Sequence, residues 1–169
     1  DHFQKAGYFT CNGEMLTGRK GKMDYNFGNS FSDFFNGTHW NQREDDQPFF
    51  AEIHFKEAHR SFKNDNKSPI DPKKIKIPSY LPDHPITRKK RKKYLETIQI
   101  LDRKIGKVLN SLKEDGLDKN TIIIFTGDHG RAHVRGKQWL YDSGIHIPLI
   151  IKWKDKIKAG SFSDQLVCL

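Results

Sequence analysis

Residues 94–125 constrain the fold more than any other part of the chain. Tyr94, Ile98, Leu101, Ile105, Val108 with Leu109, and Leu112 recur at steps of three and four, one apolar stripe of an α-helix. Thr87 is placed to cap the helix start, after an Asp83-His84-Pro85 turn, and Gly116 is placed to stop it. A short loop then leads into Thr121, Ile122, Ile123, Ile124 and Phe125. That run is β-branched and apolar almost throughout, as a strand covered on both faces would be. Helix, short loop and buried strand make half of a βαβ unit, so the expected class is α/β, a mostly parallel sheet flanked by helices. Residues 49–55 and 147–153 are predicted as further strands, and residues 2–11 as a helix end leading into a short strand.

Length and charge narrow the functions that such a fold can serve. A chain of 169 residues is long enough to bury a core as one domain. No apolar run approaches the roughly 20 residues that a membrane span needs. Its 30 Lys and Arg against 21 Asp and Glu leave a net charge of +9. That charge suits anionic partners: nucleic acid, a membrane surface, or sulfated and phosphorylated substrates. The densest run, residues 88–93, has the composition of a nucleic-acid patch. It leads straight into the amphipathic helix and has no interleaved aromatics for bases to stack on, so it reads as a solvated helix face. Two cysteines, Cys11 and Cys168, cannot form a disulfide scaffold or a four-thiolate zinc site. The chain opens at Asp1 without a signal-peptide pattern, and both ends look cut, so it is expected to be an internal piece of a longer protein. Residues 12–47 and 60–85 read as long loop excursions, which in compact domains are usually functional or disordered.

Four segments carry side chains that could do chemistry. Asp128 and His129, within F-T-G-D-H-G-R at residues 125–131, fall just past the C-terminal end of the most buried predicted strand. Ligands bind at that edge in open α/β sheets, and a carboxylate beside an imidazole suits a divalent cation. The bland alternative is a tight turn with an incidental His. His59 also follows a predicted strand. If the two strands are parallel in one sheet, His59 and Asp128 share an edge, where His59 could hold an anionic oxygen or move a proton. Lys137, beside Gly136, and Lys22, beside Gly21, lie in loops and could each reach an anion as a point charge. Taken singly, each Lys is a solvated surface charge. Together the set makes a cationic pocket suited to a sulfate or phosphate oxyanion.

The run F-T-G-D-H-G-R followed by R-G-K-Q-W-L-Y-D-S-G-I-H-I-P-L-I resembles the sulfatase family of the alkaline-phosphatase-like superfamily, near arylsulfatase A and heparan N-sulfatase. P-F-F-A-E-I-H-F-K-E-A-H-R-S-F resembles that family's strand ending in a functional His, and G-K-M-D-Y-N-F its early substrate-Lys region. The resemblance implies a partial sulfatase catalytic domain over residues 1–169. It implies Asp128 and His129 as metal ligands, with calcium the expected cation. Lys137 and His59 would then be catalytic and substrate-contacting, and Lys22 substrate-binding. It further implies a sulfated small molecule or glycan as substrate and a periplasmic or secreted location.

Three departures from the family pattern stand out. The formylglycine nucleophile of the family arises from Cys or Ser in C/S-x-P-S-R, and this sequence contains no such motif. The early Asp-Asp metal pair has no match either, because Asp45-Asp46 follows the Lys22 region and sits on no strand end. Residues 14–20 look like an insertion. The expected role is therefore part of a hydrolase of sulfate esters or N-sulfates, with the nucleophile supplied upstream and this chain inactive alone. The alternatives are a phosphoric or phosphonic ester hydrolase of the same superfamily, a non-catalytic anion-binding remnant, and, on charge alone, a nucleic-acid module.

Overall fold

A computed structural model of the chain describes residues 2–23 and 30–168. It divides into two compact units, Asp1–Lys56 and Glu57–Leu169.

The first unit is built on a parallel strand pair. Helix α1 (His2–Lys5) leads into strand β1 (Phe9–Glu14), as the sequence predicts. β1 pairs in parallel with β2 (Phe49–His54), Phe9 opposite Phe49 and Glu14 opposite His54. The intervening excursion contains a short helix α2 (Phe31–Phe34) and a 3-10 turn Trp40–Gln42. β1 is buried along nearly its whole length, and Phe9, Cys11, Phe35 and Trp40 form the apolar core. Burial extends to the polar residues Thr10 and Asn12, whose side-chain donors are satisfied locally while Asn12 Oδ1 has no partner among the described residues. The Thr10 hydroxyl donates to the Phe34 carbonyl at 2.8 Å, and the Asn12 amide donates to the Lys22 carbonyl at 3.2 Å. Residues 14–20, expected as an insertion, form a tight reversal. Gly13 bridges antiparallel to Lys20, and Glu14 N–H donates to Arg19.

Burial has a chemical consequence for the first unit. Cys11 is fully buried, and burial pushes its thiol up to about 12, whereas Cys168 is exposed. Native protein at pH 8 is therefore expected to react with a disulfide-type thiol reagent at one site. The second equivalent should appear on denaturation. Two fast equivalents in native protein would mean that β1 is not packed as described.

The second unit is dominated by α3 (Pro85–Glu114). The helix cap lies three residues before the expected one at Thr87. His84 is the N-cap, its Nδ1 accepting from Ile86 N–H at 3.2 Å, and Pro85 occupies the first turn, where its fixed φ suits a helix start. The helix ends as expected at Gly116, whose φ of +73° a β-carbon would disfavour. Leu117 N–H returns to the Leu112 carbonyl and Gly116 N–H to Lys113, both at 3.0 Å, which is a Schellman closure.

The buried middle of α3 differs from its apolar stripe. Tyr94, Ile98, Leu101 and Ile105 are half-buried, while the fully buried helix residues are Glu96, Thr97 and Leu112. The cause is the polar segment 57–75, which lies along the helix and brings its backbone donors with it. Glu96 accepts from Asp65 N–H at 3.3 Å, Ile70 N–H at 2.8 Å and Lys92 Nζ at 2.6 Å. Thr97 Oγ1 accepts from Lys63 N–H at 2.7 Å. The basic run is partly used for the same purpose. Arg88 grips both carboxylate oxygens of Asp83 and donates to the Pro72 and Ile75 carbonyls, so the 3-10 turn Pro72–Lys74 is tied to the helix start.

β3 (Ile123–Thr126) follows α3, and β4 (Leu149–Lys152) pairs with it antiparallel, Ile123 opposite Lys152. The sheet of each unit is two-stranded, β1 with β2 in the first and β3 with β4 in the second. β3 is not covered on both faces. Its residues alternate between half-buried and exposed, Ile124 being 61% exposed, and β4 is exposed throughout. With one neighbouring strand and no helix packed over its other face among the described residues, β3 cannot reach the coverage that its composition suits. The class is α/β, with a parallel pair and flanking helices.

Candidate active site

The loops after β3 place Asp128 and His129. The Asp128 side chain is 79% exposed, and its Oδ2 lies 3.4 Å from His129 Nε2. The other ring nitrogen of His129, Nδ1, lies 2.7 Å from the Gly130 carbonyl oxygen, which fixes the ring. The pair thus presents an anionic oxygen to solvent beside an imidazole. As donors for a hard cation, Asp128 fits well and His129 less typically, and calcium takes about six to eight ligands. No cluster of three or more His, Cys, Asp or Glu occurs among the described residues, so this pair is at most part of a cation site.

Lys137 is held to this loop through the backbone. Its N–H donates to the Arg131 carbonyl at 2.8 Å, while Gly130 N–H donates to the Gly144 carbonyl at 2.8 Å. Short helix α4 (Asp142–Ile145) supplies Gly144. A β-carbon at Gly130 would overlap the Ser143 carbonyl oxygen, and one at Gly144 would overlap that of Trp139. Glycine is therefore required at both points by close main-chain approach. Arg135 and Gln138, on either side of Lys137, hold φ values of +60° and +72°. Left-handed backbone at non-glycine residues is unfavourable and is found where surrounding structure enforces a conformation.

His59 follows Ala58, which also has positive φ, +73°. Its ring Nδ1 lies 2.8 Å from the Arg60 carbonyl, and the side chain is exposed. The segment is fixed on both sides. Lys104 Nζ reaches the buried Glu57 carboxylate at 2.5 Å, and Arg60 Nε donates to the Ala132 carbonyl at 3.0 Å. The structure thus brings the His59 loop onto the loop that carries Asp128 and Lys137. It joins them through flanking residues; no hydrogen bond or ion pair links the His59 or Lys137 side chain to Asp128 among the described residues. Lys22, exposed, belongs to the first unit and is described there by itself, its carbonyl fixed by Asn12. Residues 24–27 of its segment lie outside the described residues.

One group of residues at these loops escapes sequence reasoning. His133 stacks on Phe62, ring centres 5.0 Å apart, and meets Tyr94 edge-on at 5.6 Å. Burial, followed by the charges of Arg131, Arg60, Arg91 and Lys90, pushes its pKa down to about 4, so the ring is neutral at pH 7. Three arginines and a histidine spread over residues 60–133 show no spacing that marks them as neighbours.

Comparison with known proteins gives a consistent result. The family model described as Sulfatase matches residues 3–167. An ulvan-active sulfatase of Formosa agariphila is 31% identical over 97% of this chain and 33% of its own length. The human N-sulphoglucosamine sulphohydrolase is 27% identical over 76% of the chain and 30% of its own length. A mouse N-acetylgalactosamine-6-sulfatase is 33% identical over 45% of the chain and 17% of its own length. The chain spans a third or less of the length of these relatives.

Proposed function

Because the chain belongs to the sulfatase family, we propose that it forms part of a sulfuric ester hydrolase acting on a sulfated glycan. The observation that supports this reading is the main-chain bonding that ties Lys137 to the loop carrying Asp128 and His129, with the His59 loop fastened to it through Arg60. In this reading Asp128 and His129 supply two ligands to a divalent cation completed by residues elsewhere in the whole protein. That cation would draw electron density from the sulfate oxygens. Lys137 places an ammonium where negative charge grows on those oxygens, and its fixed backbone spares reorganisation during the reaction. His59 presents an imidazole that can protonate the departing oxygen. Lys22 contributes a second cation toward the sulfate. The attacking nucleophile comes from outside this sequence, which lacks the C/S-x-P-S-R motif. The names of the relatives support a glycan substrate; calcium as the cation and a periplasmic or secreted setting belong to the proposal through the sequence resemblance alone. No helix among the described residues is long and apolar enough to cross a membrane.

The test is the complete, matured protein assayed on 4-nitrophenyl sulfate and 4-nitrophenyl phosphate. Sulfate hydrolysis should exceed phosphate hydrolysis, and Lys137→Ala should lower kcat/KM on the sulfate by about 10²–10³, the loss typical of one preorganised charge-stabilising donor. Preference for the phosphate would replace this reading with the phosphoric ester hydrolase. Undiminished turnover in the variant would remove Lys137 from the site.

A further inference from the structure

Beside the proposed catalytic loops, the second unit carries a concentration of cations with no carboxylate to balance it. Arg60, Arg91, Arg131 and Arg135 make no ion pair among the described residues, although four of the acidic side chains in the same unit, Glu57, Asp65, Asp83 and Glu96, are paired with other bases. The guanidiniums of Arg91, Arg131 and Arg135 lie instead against aromatic faces, and Arg60 donates to the Ala132 carbonyl. Arg131 and Arg135 sit 5.6 and 5.4 Å from the Tyr80 ring centre, and Arg91 sits 5.7 Å from that of Tyr94. Tyr94 in turn abuts His133, so the group is contiguous.

The polar atoms of this group are incompletely used. Tyr80 Oη, Arg91 Nε, Arg131 Nε and His133 Nε2 are each buried and lack a hydrogen-bond partner among the described residues. Buried donors without partners are rare in folded proteins and mark a place where a further group completes the bonding. The two arginine Nε atoms are obligate donors, Tyr80 Oη and His133 Nε2 can donate, and the surrounding charge is positive, so an anion is the group that suits them. Arginine's planar fork favours a carboxylate or sulfate, which accept two parallel hydrogen bonds. The loop path adds a location: Arg131 lies three residues past Asp128, and its carbonyl holds Lys137 N–H.

We propose that Tyr80, Arg91, Arg131 and His133 form a subsite for a second anionic group, sulfate or carboxylate, on the glycan whose sulfate ester is cleaved. This rests on the glycan-sulfatase reading above. The scissile sulfate occupies the Lys137 site, and a neighbouring sugar's charge occupies the arginine group. Because arginine keeps its charge throughout the accessible pH range, the subsite holds its anion at any working pH.

The experiment measures binding of a heparin-derived hexasaccharide to the complete protein at fixed ionic strength. Arg91→Ala and Arg131→Ala should each raise Kd tenfold or more. Lys107→Ala, which removes an equal charge from the exposed side of α3, should change it less than twofold. Thermal midpoints verify folding, and Arg91→Ala decides alone if Arg131→Ala does not fold. Carboxyl-reduced and desulfated hexasaccharides identify the group held, by which of the two loses sensitivity to Arg91→Ala. Equal weakening by all three substitutions, or unchanged sensitivity with both modified sugars, would overturn the subsite. Hydrolysis of 4-nitrophenyl sulfate by the parent is read separately. Its absence would count against the sulfatase reading, while its presence with no arginine effect would count against the subsite.

Discussion

Asp128→Ala in the complete protein is expected to abolish binding of the proposed divalent cation and to lower sulfate-ester turnover by about 10³ or more, the scale on which charge-stabilising groups act in such reactions. Asp128 is the one carboxylate at the C-terminal end of β3, and the cation would lose its anionic oxygen from this chain. His129 cannot substitute, since a neutral imidazole offers the cation no anionic oxygen. Because the side chain is 79% exposed, the substitution should move folding stability by no more than about 0.5 kcal/mol. Metal content by mass spectrometry, turnover and a denaturation midpoint on the same preparation separate the two effects. Normal metal content in the variant would show that the loop is structural.

Glu96→Ala should give the opposite profile, a large loss of stability originating far from the proposed chemistry. The carboxylate is fully buried and holds two backbone N–H groups of the 57–75 segment as well as Lys92. Truncation leaves those donors without an acceptor and Lys92 without its partner, a loss of about 3–5 kcal/mol. Glu96→Gln should cost less, because one oxygen remains to accept. Burial alone would raise the Glu96 pKa, but Lys92 and the two N–H groups together hold it below the ordinary value. A depressed carboxylate stabilises the fold above its unfolded pKa of about 4.3 and loses that contribution as pH falls through the folded value. The acid side of the stability profile should therefore flatten in both variants. A urea midpoint within 1 M of the parent for Glu96→Ala, on a typical m-value of about 1–3 kcal/mol/M, would contradict the clamp.

These two residues also show what the sequence makes legible. The helix, its glycine stop, three strands and the Asp128-His129 loop follow from periodicity and turn chemistry, because those signals are local. Glu96 sits within the helical pattern with no mark of its importance, since its partners are backbone groups 26 and 31 residues away. The start of α3 was hidden because a histidine, an uncommon cap, precedes the proline. Composition predicts a strand at 121–125, but coverage of its faces depends on neighbouring elements, which no local pattern specifies. The grouping of His59 with Asp128 came from an assumed shared sheet; the loops meet instead through Arg60 and Phe62, which contact the 132–133 turn.

The glycine contacts at 130 and 144 have an implication for how such a site can diversify. They fix the course of the loop by main chain against main chain, and Gly136, whose β-carbon would overlap the Arg131 carbonyl oxygen, does the same before Lys137, so between these glycines the path is set mainly by backbone. Residues 131–135 form a cassette whose letters can be exchanged while its ends stay registered. A change of preferred glycan could thus proceed through substitutions in that cassette, with the reacting centre inherited intact.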